Sequence, residues 1–277
     1  MEPRLSSESG GRSPGYVPPI YLDKAGDLLR PVKRLSYEML GLSPGQHVLD
    51  VGCGPGIDTL AMAEPVGADG RVLGVDADPA MVEAANARAH AAGLAGRVHH
   101  QTGDACALAL DTDSVDVCRC ERLFIHLDDP ARALREMQRV VRPEGRILVV
   151  DSDWGSLSID TQEIEVERKL ARFRSERLLS NGYSGRQLFR LFKTCGMTDI
   201  EIQVLPVVIL GDTGLLGYLT KLDEVERDAL EAGAVTRLEL DRWRLEQEEA
   251  ARKETGFGCM SMVLALGRVE GDRHGRG

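Results

Sequence analysis

The stretch HVLDVGCGPGIDTLAM, residues 47–62, decides the fold. It places Gly52, Gly54 and Gly56 at alternate positions directly after an apolar run. Strand, glycine loop and helix in this order are typical of close backbone approach to a nucleotide, although the same pattern also makes simple tight turns. The spacing G-x-G-x-G differs from the G-x-G-x-x-G of dinucleotide-binding folds, and Pro55 removes a backbone donor. The loop is therefore predicted to take a ligand that need not be a diphosphate.

Short apolar runs repeat along the chain with helical segments between most of them. Alternating strands and helices indicate an open parallel sheet. The sequence therefore predicts an α/β fold with a seven-stranded, mostly parallel sheet and helices on both faces. The predicted strands cover residues 47–51, 71–76, 98–104, 114–120, 145–151, 199–210 and 258–269.

Composition narrows the classes of partner. The chain has 277 residues, 43% of them hydrophobic, and a net charge of -10. An acidic protein has no basic footprint for nucleic acid and is repelled by an acidic membrane surface. No apolar run reaches the roughly 18 residues that span a bilayer, and the N-terminus lacks the apolar core of a signal peptide. We expect a cytoplasmic protein that binds neither nucleic acid nor membrane.

Patterning also predicts the domain organisation. Residues 1–15 are polar and are expected to be a disordered tail. Residues 16–44 form a predicted N-terminal helical extension, in which apolar residues recur at spacings of three and four and Pro31 interrupts the helix. Residues 45–270 form the main domain. Insertions at about 155–183 and 211–256 are predicted to build a C-terminal cap.

Two acidic residues end predicted strands at the edge where open α/β sheets bind ligands. Asp76 ends the second strand, and a carboxylate there accepts the hydroxyls of a ribose in either a nicotinamide or an adenosine-type cofactor. Asp104 ends the third strand and is placed to accept the exocyclic amine of adenine. No downstream Y-x-x-x-K pair serves hydride transfer. The pattern favours the adenosine-type cofactor.

The motifs VLDVGCGPG, GVDADP, GDA and RVVRPEGRILVVD resemble those of class I S-adenosylmethionine-dependent methyltransferases. The resemblance implies a Rossmann-like sheet with a reversed last hairpin, S-adenosyl-L-methionine as cofactor and S-adenosyl-L-homocysteine as product. It implies that Asp50 and the three glycines hold the methionine part of the cofactor. Asp76 would hold the ribose, and Asp104 with Ala105 the adenine. The complete implied cofactor set is Asp50, Gly52, Gly54, Gly56, Asp76, Ala77, Asp104, Ala105 and Arg119.

Methyl transfer needs a general base only where the acceptor must lose a proton. His126 and Glu121 follow the fourth strand and are the candidate bases, although His126 is equally suited to a structural role and Glu121 to an ion pair with its arginine neighbours. Tyr21 in the N-terminal extension is a third candidate, as an anchor over the cofactor or as a core residue. Asp151 and Asp153 lack a third ligand, so no metal is expected.

The arrangement of the N-terminal extension is similar to methyltransferase-like cyclases of actinobacterial natural-product pathways. That resemblance implies carbon methylation of an apolar secondary metabolite, in the teleocidin type a terpene alkene on an indole alkaloid, with coupled cyclisation. O- or N-methylation of a polyketide, quinone or amine is the alternative, and a non-catalytic cofactor-binding protein is the alternative from another class. We also expect a homo-oligomer, for which exchange of N-terminal helices is one arrangement.

Overall fold

The computed structural model describes residues 28–271. Its helices and strands in chain order are α1 (Arg30–Leu40), β1 (His47–Val51), α2 (Ile57–Val66), β2 (Arg71–Asp76), α3 (Pro79–Ala91), β3 (Val98–Thr102), β4 (Val115–Glu121), α4 (Pro130–Val140), β5 (Val141–Ile159), α5 (Ile164–Phe173), α6 (Ser184–Thr194), β6 (Thr198–Leu210), α7 (Thr213–Thr220), α8 (Leu222–Glu231), α9 (Arg237–Lys253) and β7 (Phe257–Arg268). A 3₁₀ turn covers Phe124–His126, and a π-helical turn covers Arg174–Leu178.

The strands form one seven-stranded sheet in the order β3-β2-β1-β4-β5-β7-β6. Strands β1 to β5 pair in parallel, whereas β7 runs antiparallel to both β5 and β6. The predicted seven-stranded, mostly parallel sheet is confirmed. Because the order reverses direction beside β1, the carboxyl ends of β1 and β4 flank the crevice where such sheets bind ligands.

Alternation along the strands divides the core between the two faces of the sheet. On β1, Val48 belongs to one buried cluster and Leu49 to the other, and on β4 Val117 and Cys118 divide in the same way. Successive side chains of a strand point to opposite faces, so a strand covered on both sides reads as a continuous apolar run. Helices on both faces therefore explain the Val- and Leu-rich strands.

Several boundaries differ from the sequence-based expectations. Strand β3 ends at Thr102 rather than at residue 104, and β5 continues to Ile159, eight residues beyond its predicted end. Pro31 lies in the first turn of α1, where its missing N–H removes no intrahelical bond. The tail, Tyr21 and the first part of the predicted N-terminal extension lie outside the described residues.

The extended ends of β5 and β6 carry a group of four helices, α5, α7, α8 and α9, which we call the cap. These helices pack on one another, and α5 and α7 also pack on β5 and β6, respectively. Buried apolar residues of the cap, such as Leu170 and Trp243, belong to the same core cluster as Val48 of the sheet. The cap is thus continuous with the main core.

Candidate functional site

The glycine loop, residues 52–56, connects β1 to α2 at the carboxyl edge of the sheet. Gly52, Gly54 and Gly56 have φ angles of 72°, 51° and 78°. Residues other than glycine are strained at these positive φ angles. At Gly56 space is also absent, because an added Cβ would lie 2.8 Å from Cβ of Ala85. The third glycine lets α3 pack directly beneath the loop.

The N–H groups of the loop all have partners within the protein. Pro55 has no N–H, and the others donate to residues of the loop or of β2. A phosphate cradle needs free N–H groups that point at the ligand, so the loop itself is not built for a diphosphate. The bonds run from Gly52 and Cys53 to O of Val75 at 2.7 and 3.1 Å, from Gly54 to Oδ2 of Asp76 at 2.8 Å, and from Gly56 to O of Cys53 at 3.1 Å.

Asp76 is the last residue of β2 and contacts the loop, and Asp104 lies two residues beyond the end of the neighbouring strand β3. Asp76 accepts backbone N–H bonds from Gly54 at 2.8 Å and from Asp78 at 3.0 Å, and Asp104 accepts one from Cys106 at 2.8 Å. Each carboxylate oxygen has two lone pairs. Both residues therefore keep acceptor capacity for a ligand while their orientation is fixed. Of the neighbours in the predicted cofactor set, Ala77 is exposed and Ala105 is buried.

On the other side of the loop, six side chains form a buried group that we call the ion cluster: Lys33, Tyr37, Asp50, Asp58, Arg119 and Glu121. Asp58 is its centre, because Nζ of Lys33 lies 2.7 Å from Oδ2 and the hydroxyl of Tyr37 donates to Oδ1. A guanidinium nitrogen of Arg119 lies 3.4 Å from the same Oδ2. Four elements, α1, β1, α2 and β4, supply these side chains.

Arg119 joins the three carboxylates of the ion cluster. Its guanidinium lies 3.5 Å from Oδ1 of Asp50 and 2.5 Å from Oε2 of Glu121, and it is completely buried. The guanidinium also lies over the ring of Tyr37, 5.5 Å from its centroid. Arg119 thus adjoins Asp50, the residue to which the sequence resemblance assigns the methionine part of the cofactor.

Burial and charge act against each other on the carboxylates. Burial raises the pKa of Asp50 to about 7, and Arg119 only partly offsets this rise. Burial also raises the pKa of Asp58, but Arg119 and Lys33 outweigh it and hold that pKa well below the usual range. Asp58 is therefore an anion at neutral pH, whereas the pKa of Asp50 lies near 7.

Glu121, one of the two candidate bases, is the last residue of β4 and lies inside the ion cluster. Besides Arg119, its carboxylate lies 3.1 Å from Nζ of Lys33 and 3.4 Å from Nε of Arg122. Burial and Asp58 raise its pKa, and Lys33, Arg119 and Arg122 outweigh them, so the pKa is lowered. Three cations thus compete with any proton for this carboxylate. Its role as a base stays a prediction and is weakened by these contacts.

His126, the other candidate base, ends the 3₁₀ turn beyond β4. Burial, Arg122 and Lys221 of the cap lower the pKa of His126 to about 4, so the imidazole is neutral at pH 7. Within residues 28–271 the imidazole makes no hydrogen bond. Backbone bonds fix the turn instead, because N of Ile125 donates to Asp151 at 3.0 Å and O of Ile125 accepts from N of Asn181 at 2.9 Å.

The cap closes over a small apolar cavity of about 10 Å³. Its walls include Leu157, Leu170 and Trp243. Nearby, the guanidinium of Arg174 covers one face of the Trp154 ring, 3.6 Å from the centroid. This cavity therefore holds no more than a water-sized molecule.

Sequence reasoning missed Lys33, Tyr37 and Asp58. Lys33 and Tyr37 are spaced by four on α1, one turn apart, and Asp58 is the second residue of α2. Polar side chains on a helix are usually assigned to the solvent side. The available signal was the spacing of four between Lys33 and Tyr37 on α1. The sequence did not show which residue these two side chains would contact.

The described residues contain no cluster of three or more His, Cys, Asp or Glu side chains arranged to hold a metal ion. Among the helices of residues 28–271, none combines the length and apolar character needed to cross a bilayer.

A family model described as a methyltransferase domain matches residues 49–149. An uncharacterised 37.1 kDa protein in transposon TN4556 of Streptomyces fradiae is 35% identical over 226 residues, which cover 80% of this chain and 64% of that protein. O-methyltransferase resE of Aspergillus sclerotiorum is 32% identical over 173 residues, which cover 61% of this chain and 62% of that protein. The chain therefore spans less than two thirds of the length of these two curated relatives.

Solved structures show the same fold. The YcgJ protein from Bacillus subtilis matches with a TM-score of 0.62 at 21% identity, and the match covers 87% of this chain and 99% of that one. Together with the matched domain, this likeness identifies the sheet as the Rossmann-like methyltransferase fold.

Proposed function

We propose that the chain is a methyltransferase that uses S-adenosyl-L-methionine and acts on a small molecule. The observation that carries the proposal is the glycine loop, whose own N–H groups are bonded within the protein while carboxylates flank it. Carboxylates attract cations and accept hydrogen bonds. S-adenosyl-L-methionine offers a sulfonium, an ammonium, ribose hydroxyls and an adenine amine, whereas a dinucleotide offers a diphosphate.

The positions of three carboxylates support this cofactor. Asp50 lies on β1, Asp76 ends β2 and Asp104 follows β3, and these strands are successive neighbours in the sheet. Neighbouring strands are about 4.8 Å apart. The row therefore has the extent of an extended nucleoside with an amino-acid tail. In the proposed pose, Asp50 faces the methionine part, Asp76 the ribose and Asp104 the adenine, with Ala77 and Ala105 beside them.

The proposed chemistry is an in-line displacement. The bound cofactor supplies a methyl group on a positively charged sulfur, and an acceptor atom takes that methyl while the sulfur keeps the bonding electrons. Positioning alone supplies much of the acceleration in such reactions, up to about 7–11 kcal/mol. The glycine loop and carboxylates hold one reactant, and the cap excludes water from the other.

For the acceptor we propose carbon on an apolar secondary metabolite. The ion pairs of Glu121 support it, because an alkene loses no proton before attack and requires no free carboxylate there. Coupled cyclisation of the teleocidin type is part of this proposal. A cationic intermediate is stabilised by aromatic faces. Arg174 already covers one face of Trp154, so that face is not available to such an intermediate.

His126 supports a second candidate, O- or N-methylation. Its neutral imidazole lies beyond β4 without a hydrogen bond to another described residue. A base of this kind contributes about 10²- to 10⁴-fold in rate. The pKa of about 4 then predicts that kcat/KM falls only below pH 4–5. The exposed His90 provides the matched control, since His90→Ala leaves the rate unchanged whereas His126→Ala lowers it.

The testing experiment has two stages. Calorimetry with S-adenosyl-L-homocysteine and with NAD⁺ should show binding of the first alone, and the opposite result would discard the proposed cofactor. Incubation with methyl-deuterated cofactor and extracts rich in prenylated indoles and polyketides then locates the label by mass spectrometry and NMR. A label on carbon supports the first candidate, a label on oxygen or nitrogen the second. Tight cofactor binding without any labelled product would favour a non-catalytic binding protein.

A further inference from the structure

Helix α1 buries charge on the side that faces the sheet. Lys33 is only 9% exposed and points inward together with Ser36 and Tyr37, whereas Arg34 and Glu38 form an exposed pair on the outer side. Lysine is almost never buried unless it is paired, because an unpaired ammonium loses its hydration. The inward side of α1 is therefore built for a specific partner and not only for the core.

That partner is Asp58. It lies on the first turn of α2, two residues after Gly56, the last residue of the glycine loop. Lys33 contacts both oxygens of its carboxylate, at 2.8 and 2.7 Å, and the hydroxyl of Tyr37 donates to the same group. These contacts join α1 to the helix that begins where the glycine loop ends.

Stability alone is a poor explanation for this arrangement. Replacing a buried ion pair by apolar side chains is often neutral or stabilising, because the desolvation of two charges offsets their attraction. Directional charged bonds do, however, fix one geometry between the elements that carry them. The ion cluster fixes α1 relative to α2 and β4, and so relative to the glycine loop between β1 and α2.

We propose that Lys33 and Tyr37 are positioning residues, which hold helix α1 against the glycine loop through Asp58 and thereby raise the affinity for the S-adenosyl cofactor. The inference rests on the proposed function, since it takes this cofactor as the ligand of the loop. The apparent affinity equals the intrinsic affinity multiplied by the fraction of molecules in the binding-competent state. A helix that is already docked keeps that fraction near one.

Two variants test the bonds separately. Tyr37→Phe removes only the hydroxyl and keeps the ring under Arg119, and Lys33→Met removes the ammonium and keeps an unbranched apolar stem. We expect each to weaken S-adenosyl-L-homocysteine binding about tenfold, the equivalent of one charge-assisted hydrogen bond. Arg34→Gln and Glu38→Gln on the outer side of α1 are the matched controls and should bind as the wild type does.

The charge of the ligand separates positioning from direct electrostatics. S-adenosyl-L-methionine carries a sulfonium charge that S-adenosyl-L-homocysteine lacks. Positioning weakens both ligands by the same factor in Tyr37→Phe and in Lys33→Met. Loss of a positive charge near the ligand would instead favour the cationic ligand in Lys33→Met. A change in the ratio of the two affinities would therefore overturn the inference.

Hydrogen exchange provides a readout that does not depend on a folded variant. Addition of S-adenosyl-L-homocysteine to the wild type should slow exchange of the amides of α1 more than those of α9 in the cap. Equal protection of both helices would contradict the inference, and so would variants that bind with wild-type affinity. Failure of the wild type to bind S-adenosyl-L-homocysteine at all would instead overturn the proposed function on which the inference rests.

Discussion

The glycine loop and the ion cluster lie side by side at one edge of the sheet but are held by different contacts. Loop residues bond to β2, the next strand along the chain and a parallel neighbour of β1. The ion cluster joins residues that are far apart along the chain, such as Lys33 with Asp58 and Glu121, which are 25 and 88 positions away. The loop depends on backbone geometry and on bonds from backbone N–H groups, and the cluster depends on buried pairs of charged side chains. The two regions should therefore fail in different ways.

Removal of Arg119, the cation that contacts three carboxylates of the ion cluster, should lower the free energy of unfolding the most. Arg119→Met leaves Asp50, Asp58 and Glu121 buried beside one another without the guanidinium that joins them. Breaking a buried charge pair costs about 3–5 kcal/mol of unfolding free energy, which urea denaturation measures. Arg34→Met on the exposed side of α1 is the control and should leave the midpoint unchanged. Equal midpoints for the two variants would show that the ion cluster is not the charge-dependent region.

Loss of the third glycine is the corresponding test of the loop. Gly56→Ala combines a positive φ of 78° with a Cβ that meets Ala85 at 2.8 Å. Strain of about 1–2 kcal/mol and overpacking of about 1–3 kcal/mol predict a loss near 3 kcal/mol. The control Gly93→Ala has a φ of 69° and nothing within 4 Å, so it carries the strain alone. Equal losses in denaturant would exclude the packing contribution at Gly56.

The same contrast explains what the sequence could predict. Gly52, Gly54, Gly56 and Asp76 occur next to strands whose apolar pattern is unambiguous, so their common edge follows from the strand order. Lys33 and Tyr37 belong to a helix outside the sheet, and nothing local shows that its polar side faces Asp58. Charged residues on a helix are usually exposed. The ion cluster becomes visible only when the docking of α1 is known.

The cap extends the comparison to a pair of matched tryptophans. Nε1 of Trp243 donates to the buried Glu226 at 2.7 Å, whereas the buried Nε1 of Trp154 has no partner among the described residues. Replacement of each by phenylalanine removes the same atoms. Trp243→Phe should therefore cost about 1.5–3 kcal/mol more unfolding free energy than Trp154→Phe, the value of a hydrogen bond to a charged group. Similar costs in thermal or urea unfolding would show that Glu226 does not depend on the indole.

The last expected effect is a pH dependence of stability, with opposite sign in the two regions. Beneath the loop, burial and, less strongly, His99 lower the pKa of His100 from 6.5 to about 4, so its contribution to stability is present above pH 6.5 and is lost as pH falls through 4. In the ion cluster, burial raises the pKa of Asp50 and Arg119 lowers it, and the net result is a rise from 3.8 to about 7. Its contribution is present below pH 3.8 and is lost as pH rises through 7.

Two variants separate the pH dependence of stability due to His100 from that due to Asp50. His100 bonds Thr59 at 2.8 Å and Asn86 at 3.0 Å, and Arg119, Asp58, Lys33 and Glu121 surround Asp50. His100→Leu should flatten the loss of stability between pH 6.5 and 4, and Asp50→Asn should flatten the loss between pH 4 and 7, whatever either does to stability at a single pH. The slope is the decisive quantity, because lost packing shifts the whole curve while a lost titration changes its shape. Unchanged slopes in both variants would remove the electrostatic distinction between the loop and the ion cluster and leave only the difference in sequence distance.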